Sequence, residues 1–308
     1  MRPSPASSAT TPAAHAEAAS TLFADYKELS KPGITAFVVV MAASGYVLAA
    51  PGPIAWAQLV GLMLGTALTG GGAGALNHVL ERDHDARMAR TAQRPLPAGR
   101  LGVPAAVVFA LGSVAFGGAV LWATTNAITT ALALATVALY VLVYTPLKRR
   151  TVHNTLVGAV PGALPVLGGA AAATGALDAT GWALFAILYL WQLPHFFALA
   201  WMYRDDYAGA GFRMLPSAPG GVAWTARIVL VSTLLLLVAG VLPAVVGPAG
   251  LLFLGGMALL GTAFTLPALS FSSEPSDERA RRLLLASIAY IPAFFVLVVL
   301  DFLLRQAL

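Results

Sequence analysis

The chain is predicted to be an all-α polytopic membrane protein, and three observations predict it. Of its 308 residues, 58% are hydrophobic and only 10% are charged, against roughly 25% charged in soluble domains. Apolar windows of about twenty residues, long enough to cross a hydrocarbon core as a helix, recur about nine times. Between those windows Lys and Arg alternate strictly, crowding one set of loops and avoiding the other.

The same composition excludes several classes. With no cysteine there are no disulfides, thiolate zinc sites or iron–sulfur ligands. The pI of about 9.7 comes from basic membrane-proximal loops. It is not read as nucleic-acid binding, because the aromatics are spread through the spans without an RNA-binding pattern. Residues 1–20 are rich in Ala, Ser, Thr and Pro and lack an apolar stretch. They are expected to be a disordered tail rather than a secretory signal. Residues 21–308 are then expected to form a single transmembrane domain.

The spans fall at roughly 33–51, 54–76, 103–123, 126–146, 153–173, 181–202, 222–246, 248–270 and 282–304. Arg2, Lys27 and Lys31 precede the first. Arg82, Arg87, Arg90, Arg94 and Arg100 separate the second and third. Lys148, Arg149 and Arg150 follow the fourth, Arg204, Arg213 and Arg227 flank the sixth and seventh, and Arg279, Arg281 and Arg282 precede the ninth. The short loops near residues 52, 124, 177 and 247 carry no Lys or Arg. The positive-inside rule therefore puts the N-terminus and the charged loops in the cytoplasm, in the lipid bilayer of the cell membrane. An odd number of crossings leaves Arg305 alone on the other face.

Five of the thirteen acids sit in two cytoplasmic loops. Asn77, Glu81 and Asp85 are spaced i, i+4, i+8. If the second span continues as a helix, each step turns only about 40°, so all three share a face. Asp83 falls on another side. Hard oxygen ligands on one helix face suit Mg²⁺, which joins a few carboxylates to substrate phosphates. Asp205 and Asp206 end the sixth span on the same side and could hold a second ion. Arg94, Lys148 and Arg149 could neutralise phosphate charge. The plainer reading is that acids beside bases at a helix end are solvated interfacial pairs. That reading is preferred for Glu274, Asp277 and Glu278 with Arg279, Arg281 and Arg282, a polar loop without Asn or aromatic company.

The Asn77, Glu81, Asp85 spacing resembles the first Asn/Asp-rich motif of the UbiA-type intramembrane prenyltransferases, and Arg90–Gly99 is similar to the loop that follows it there. Tyr144–Asn154, Pro161–Pro165, Trp191–Phe196 and Asp206–Pro216 resemble the branch of that family that farnesylates heme B, as does Leu29–Thr35. The motifs cover about residues 29–217, and spans seven to nine fit by hydropathy alone. Two positions depart from the family pattern. The middle residue of the first motif is Glu81 rather than Asp, and four residues beyond Asp205 and Asp206 stand Gly209 and Ala210.

The resemblance implies a UbiA-type bundle around a central cavity open to the cytoplasmic side. It implies Mg²⁺, farnesyl diphosphate as donor and heme B as acceptor. Asn77, Glu81 and Asp85, with Asp83 as a lesser candidate, would be Mg²⁺ ligands, and Asp205 and Asp206 would serve a second ion. Arg94, Lys148, Arg149 and Lys31 would hold phosphate oxygens, and Tyr144 would shield an allylic cation. His78, His84, His153 and His195 are the candidate axial ligands, and His195 or His153, with Trp191 and Asn154, would contact heme. A downstream heme-modifying enzyme or terminal oxidase is the implied partner. Two alternatives stay open: a UbiA-type enzyme with another aromatic or tetrapyrrole acceptor, and a cation-coupled transporter. Against the transporter, such proteins hold their acids near the midplane, whereas these sit at one membrane face.

Overall fold

The computed structural model describes residues 12–307. Of the expected tail over residues 1–20, residues 1–11 lie outside the described part, whereas residues 12–20 are helical and open α1 (Pro12–Leu29). The membrane-length helices follow in order: α2 (Pro32–Ala49), α3 (Trp56–Asp85), α4 (Val103–Thr124), α5 (Ala127–Leu147), α6 (Asn154–Thr174) and α7 (Ala179–Met202). After the short α8 (Arg204–Gly209) come α9 (Gly221–Val246), α10 (Leu251–Ser273) and α11 (Asp277–Ala307). Among the described residues these make nine helices long and apolar enough to cross a membrane, and no strand is present.

Local chemistry sets the ends. Proline occupies the first turn of α2 and α4, where its missing N–H has no helical partner to lose. Asn126 Oδ1 accepts from Thr129 N at 2.9 Å to cap α5, and Asp178 Oδ1 accepts from Gly181 N at 2.8 Å to cap α7. At 30 residues, α3 reaches about 45 Å, well beyond a hydrocarbon core of about 30 Å. Its last turns therefore carry residues 77–85 to the charged membrane edge as helix. The last turns of α5 widen into a π-helical segment, Leu139–Tyr144, directly before the Lys148 loop, a form of irregularity that commonly marks functional sites.

Sequential helices pack as neighbours, and α2 also lies against α6, α7 and α11. A continuous core joins α2, α6, α7 and α9–α11 through residues such as Met41, Leu184, Phe197, Phe253 and Phe294. Leu64, Val108, Leu259 and Leu266 project outward, as suits a lipid-facing surface. Without a hydrophobic force between helices in lipid, close backbone packing drives their association. The α2–α6 crossing is the tightest instance. A Cβ on Gly169 would overlap the carbonyl oxygen of Ala42, and one on Gly45 would overlap that of Val166. Gly169→Ala should thus force the two helices apart and lower stability by about 1–3 kcal/mol, read as an earlier thermal unfolding of the detergent-solubilised protein.

At the face opposite the charged loops, Arg305 pairs with Asp301 at 3.0 Å. Asp301 also accepts from the first backbone N–H groups of α10.

Candidate active site

The three motif residues on α3 are buried: Asn77 is 0%, Glu81 6% and Asp85 1% exposed. Each faces a basic side chain from a different segment. Lys31 Nζ donates to Asn77 Oδ1. Lys148 Nζ lies 2.9 Å from Glu81 Oε1, and Arg94 Nη1 lies 2.8 Å from Asp85 Oδ2. Asn77 Nδ2 donates to Thr145 Oγ1 at 2.9 Å, and that hydroxyl donates to Tyr140 O inside the π segment. The irregular end of α5 therefore registers directly against the motif.

The basic residues are held by their loops. Lys31 joins α1 to α2 and is the one non-glycine residue with positive φ among those described, at 48°, a conformation that costs about 1–3 kcal/mol and clusters at functional sites. Burial, together with Lys148 and Arg94 nearby and against the pull of Glu81, lowers its pKa to about 7. Lys148 sits 4.8 Å from the Tyr144 ring centroid and 5.9 Å from that of Phe212. Burial opposes its charge, but Tyr144 and the Glu81 carboxylate outweigh that, and its pKa is raised. Arg213 N donates to Lys148 O at 2.7 Å, and Asn154 Nδ2 donates to Arg213 O at 2.7 Å and Thr151 O at 2.8 Å. These bonds stitch the 148–154 loop to the 210–216 loop and bring Phe212 to Lys148.

Several expected site residues are placed elsewhere. Asp83 points away from the motif face, 76% exposed and paired with Arg82. Arg149 is exposed and bonds His84 Nε2 at 3.2 Å, while His84 Nδ1 donates to Ala210 O. Asn154 spends its amide on loop carbonyls, and His153 is exposed at the start of α6. Asp205 and Asp206 do not join the α3 acids. Among the described residues no three carboxylates or imidazoles converge as a metal cluster. The reason is local: Arg204 is tied to Asp277 and to Trp201 O, and α8 turns Tyr207 toward Arg90, leaving both aspartates in solvent.

Two residues have surroundings that only the folded chain reveals. His78, one residue after Asn77, is 2% exposed with neither ring nitrogen bonded. It lines an open cavity of about 420 Å³ with Lys31, Arg90, Arg94 and Glu28. Arg90 stands 5.1 Å and 5.0 Å from the rings of Tyr203 and Tyr207, bracing the α3–α4 loop against α8. On the membrane side of the motif, Ala73, Thr69, Thr66 and Leu62 of α3 line a second, apolar cavity with residues of α5 and α6.

His195 and Trp191 form a separate cluster on α7. Their rings stack at 5.2 Å, and Phe37 of α2 stacks on Trp191 at 5.4 Å.

A helical membrane bundle with buried acids, facing basic residues and an apolar cavity beneath them defines a class, and comparison with known proteins agrees. The profile of the UbiA prenyltransferase family matches residues 37–298, and the chain belongs to that family. It is 46% identical over 278 residues to the protoheme IX farnesyltransferase of Salinibacter ruber, covering 90% of this chain and 98% of that one. A solved digeranylgeranylglyceryl phosphate synthase superposes with a TM-score of 0.75 at 14% identity, over 93% of this chain and 99% of that one. A UbiA homologue from Archaeoglobus fulgidus, solved with DMAPP and Mg²⁺, superposes with a TM-score of 0.65 at 17% identity, over 89% of this chain and 99% of that one.

Proposed function

We propose that this protein transfers the farnesyl group of farnesyl diphosphate to a vinyl group of heme B, giving heme O. The observation that carries the transfer site is the buried ladder on α3, Asn77–Lys31, Glu81–Lys148 and Asp85–Arg94. The acceptor follows from the 46% identical farnesyltransferase and from the Trp191–His195 stack. In the cell membrane, the charged loops face the cytoplasm, and residues 21–308 act as one domain.

The ladder is self-neutralised, and a diphosphate changes its partners. Its oxygens compete for Lys31, Lys148 and Arg94, and His78, with both ring nitrogens unpaired, supplies a further N–H donor. The acids released from those cations are hard oxygen donors on one helix face and fit Mg²⁺. Asn77, Glu81 and Asp85 would hold it, and bound there it would offset the negative charge growing on the leaving diphosphate.

The C1–O bond breaks and its electron pair leaves with the diphosphate, which Lys148 and Arg94 stabilise by preorganised charge. The Tyr144 ring, already against Lys148, faces the allylic cation and shields it from water. The vinyl π electrons form the new C–C bond. Water then adds to the resulting cation and loses a proton, which balances heme B, farnesyl diphosphate and water against heme O and diphosphate. The farnesyl tail points toward the apolar residues of α3, α5 and α6 beneath Asn77, whose small cavity has to widen to admit it.

Membranes containing the protein, supplied with heme B, farnesyl diphosphate and Mg²⁺, should yield heme O by chromatography and mass. Chelation of Mg²⁺ should stop it. Asp85→Ala should abolish product while Asp83→Ala keeps it within about twofold, as expected of a solvated surface carboxylate. Prenylation of an aromatic acid with heme B untouched would overturn the acceptor.

A further inference from the structure

Ser287 lies in the middle of α11, a helix that carries none of the motif residues. It is fully buried, and it touches both aromatic side chains of the α7 cluster. Its backbone oxygen accepts from Trp191 Nε1 at 3.1 Å. Its hydroxyl oxygen lies 2.8 Å from His195 Nδ1 and 2.6 Å from Leu284 O.

Counting protons decides the imidazole tautomer. A hydroxyl has one proton to give. The Leu284 carbonyl has none, so the contact to it consumes that proton. Toward His195 the hydroxyl oxygen offers only a lone pair, and Nδ1 must carry the hydrogen. Nε2 is then unprotonated, and among the described residues it makes no hydrogen bond. A histidine that is merely part of a satisfied core would use both nitrogens. One nitrogen anchored to an acceptor and the other free is the arrangement of metal-binding histidines.

We propose that Ser287 is a positioning residue that locks His195 in the Nδ1–H form, so that Nε2 ligates the iron of the heme substrate. This rests on the reading that heme B is the acceptor. The same serine holds Trp191 through its backbone, so α11 fixes both the ligand and the ring stacked on it. The Phe37–Trp191–His195 stack would present the imidazole in one orientation and so set which vinyl group reaches the allylic carbon.

The test uses the full-length protein in detergent, titrated with ferric heme B and read by optical and electron paramagnetic resonance spectra. The wild type should show an imidazole-ligated heme, and His195→Ala should lose that signature. Ser287→Ala should weaken heme binding by about 10–100-fold, the usual penalty for losing an outer partner of a metal-bound histidine, and Ser287→Thr should restore it. Wild-type affinity and spectrum in Ser287→Ala, or imidazole ligation retained in His195→Ala, would overturn the inference. Heme O formation by the same wild-type preparation is scored separately. Turnover with an inert Ser287→Ala removes only the positioning role, whereas intact ligation without heme O removes only the proposed activity.

Discussion

Lys148→Ala should abolish heme O formation and destabilise the protein at once, and the two losses are separable. Glu81 is 6% exposed and bonds Lys148 at 2.9 Å. Removing one member of a buried pair strands the other charge, at about 3–5 kcal/mol. Catalysis loses a fixed positive charge at the leaving group, comparable to deleting one preorganised donor, about 10²–10³-fold in kcat. The double variant Glu81→Gln/Lys148→Met distinguishes these effects. With neither charge buried, thermal unfolding should return close to wild type, while activity stays lost. Recovery of activity together with stability would mean that the pair is only a structural clamp and that the diphosphate binds elsewhere.

That pair also shows how far sequence carries. Asn77, Glu81 and Asp85 share a face because α3 continues unbroken to Asp85, and the 3.6-residue period alone predicts as much. Their spacing separates Asp83 from them for the same reason, and the structure turns it into solvent. Helical periodicity is local, so it is legible. The pairings are not: Lys31, Lys148 and Arg94 come 46, 67 and 9 residues away from their partners, and only packing decides which basic residue meets which acid. Sequence reading separated the acids and the cations into metal and phosphate groups, whereas in the folded chain they neutralise each other.

Asp205 and Asp206 are less legible. Their place at the end of a span put them on the correct face, but face does not fix direction. One ion pair, Arg204 with Asp277 at 2.7 Å, helps hold α8 with both aspartates outward. What His78 and Ser287 do is not legible in sequence, because a single His beside a motif is a candidate ligand without geometry and a single Ser in an apolar span has no pattern. Their roles emerge only from which of their atoms are bonded.

Asp301→Ala should unfold the protein most readily of any substitution on the face away from the active site, and leave turnover per folded molecule unchanged. Sequence isolates Arg305 as the one cation on that side, and Asp301 supplies the reason it is tolerated. Asp301 is 1% exposed and accepts from Arg305 Nε at 3.0 Å, Gly250 N at 3.0 Å and Phe253 N at 3.0 Å. It thus caps α10 from another helix, where Gly250 provides no side-chain cap of its own. Arg305 in turn donates to Leu48 O at the end of α2. The single carboxylate therefore ties the ends of α2, α10 and α11 together. Losing the cap removes about 0.5–2 kcal/mol, and leaving a largely buried Arg305 unpaired brings the total to about 3 kcal/mol. Asp301→Asn keeps an oxygen for the α10 amides but not the charge, and should lose less than Ala does. Adding Arg305→Leu to Asp301→Ala should recover the share that belongs to the stranded guanidinium. Thermal unfolding in detergent measures all three, with heme O turnover of the folded fraction as control. An unchanged midpoint for Asp301→Ala would show that α10 keeps its N-terminus without the cross-helix cap, and that the bond network at this face is incidental to stability.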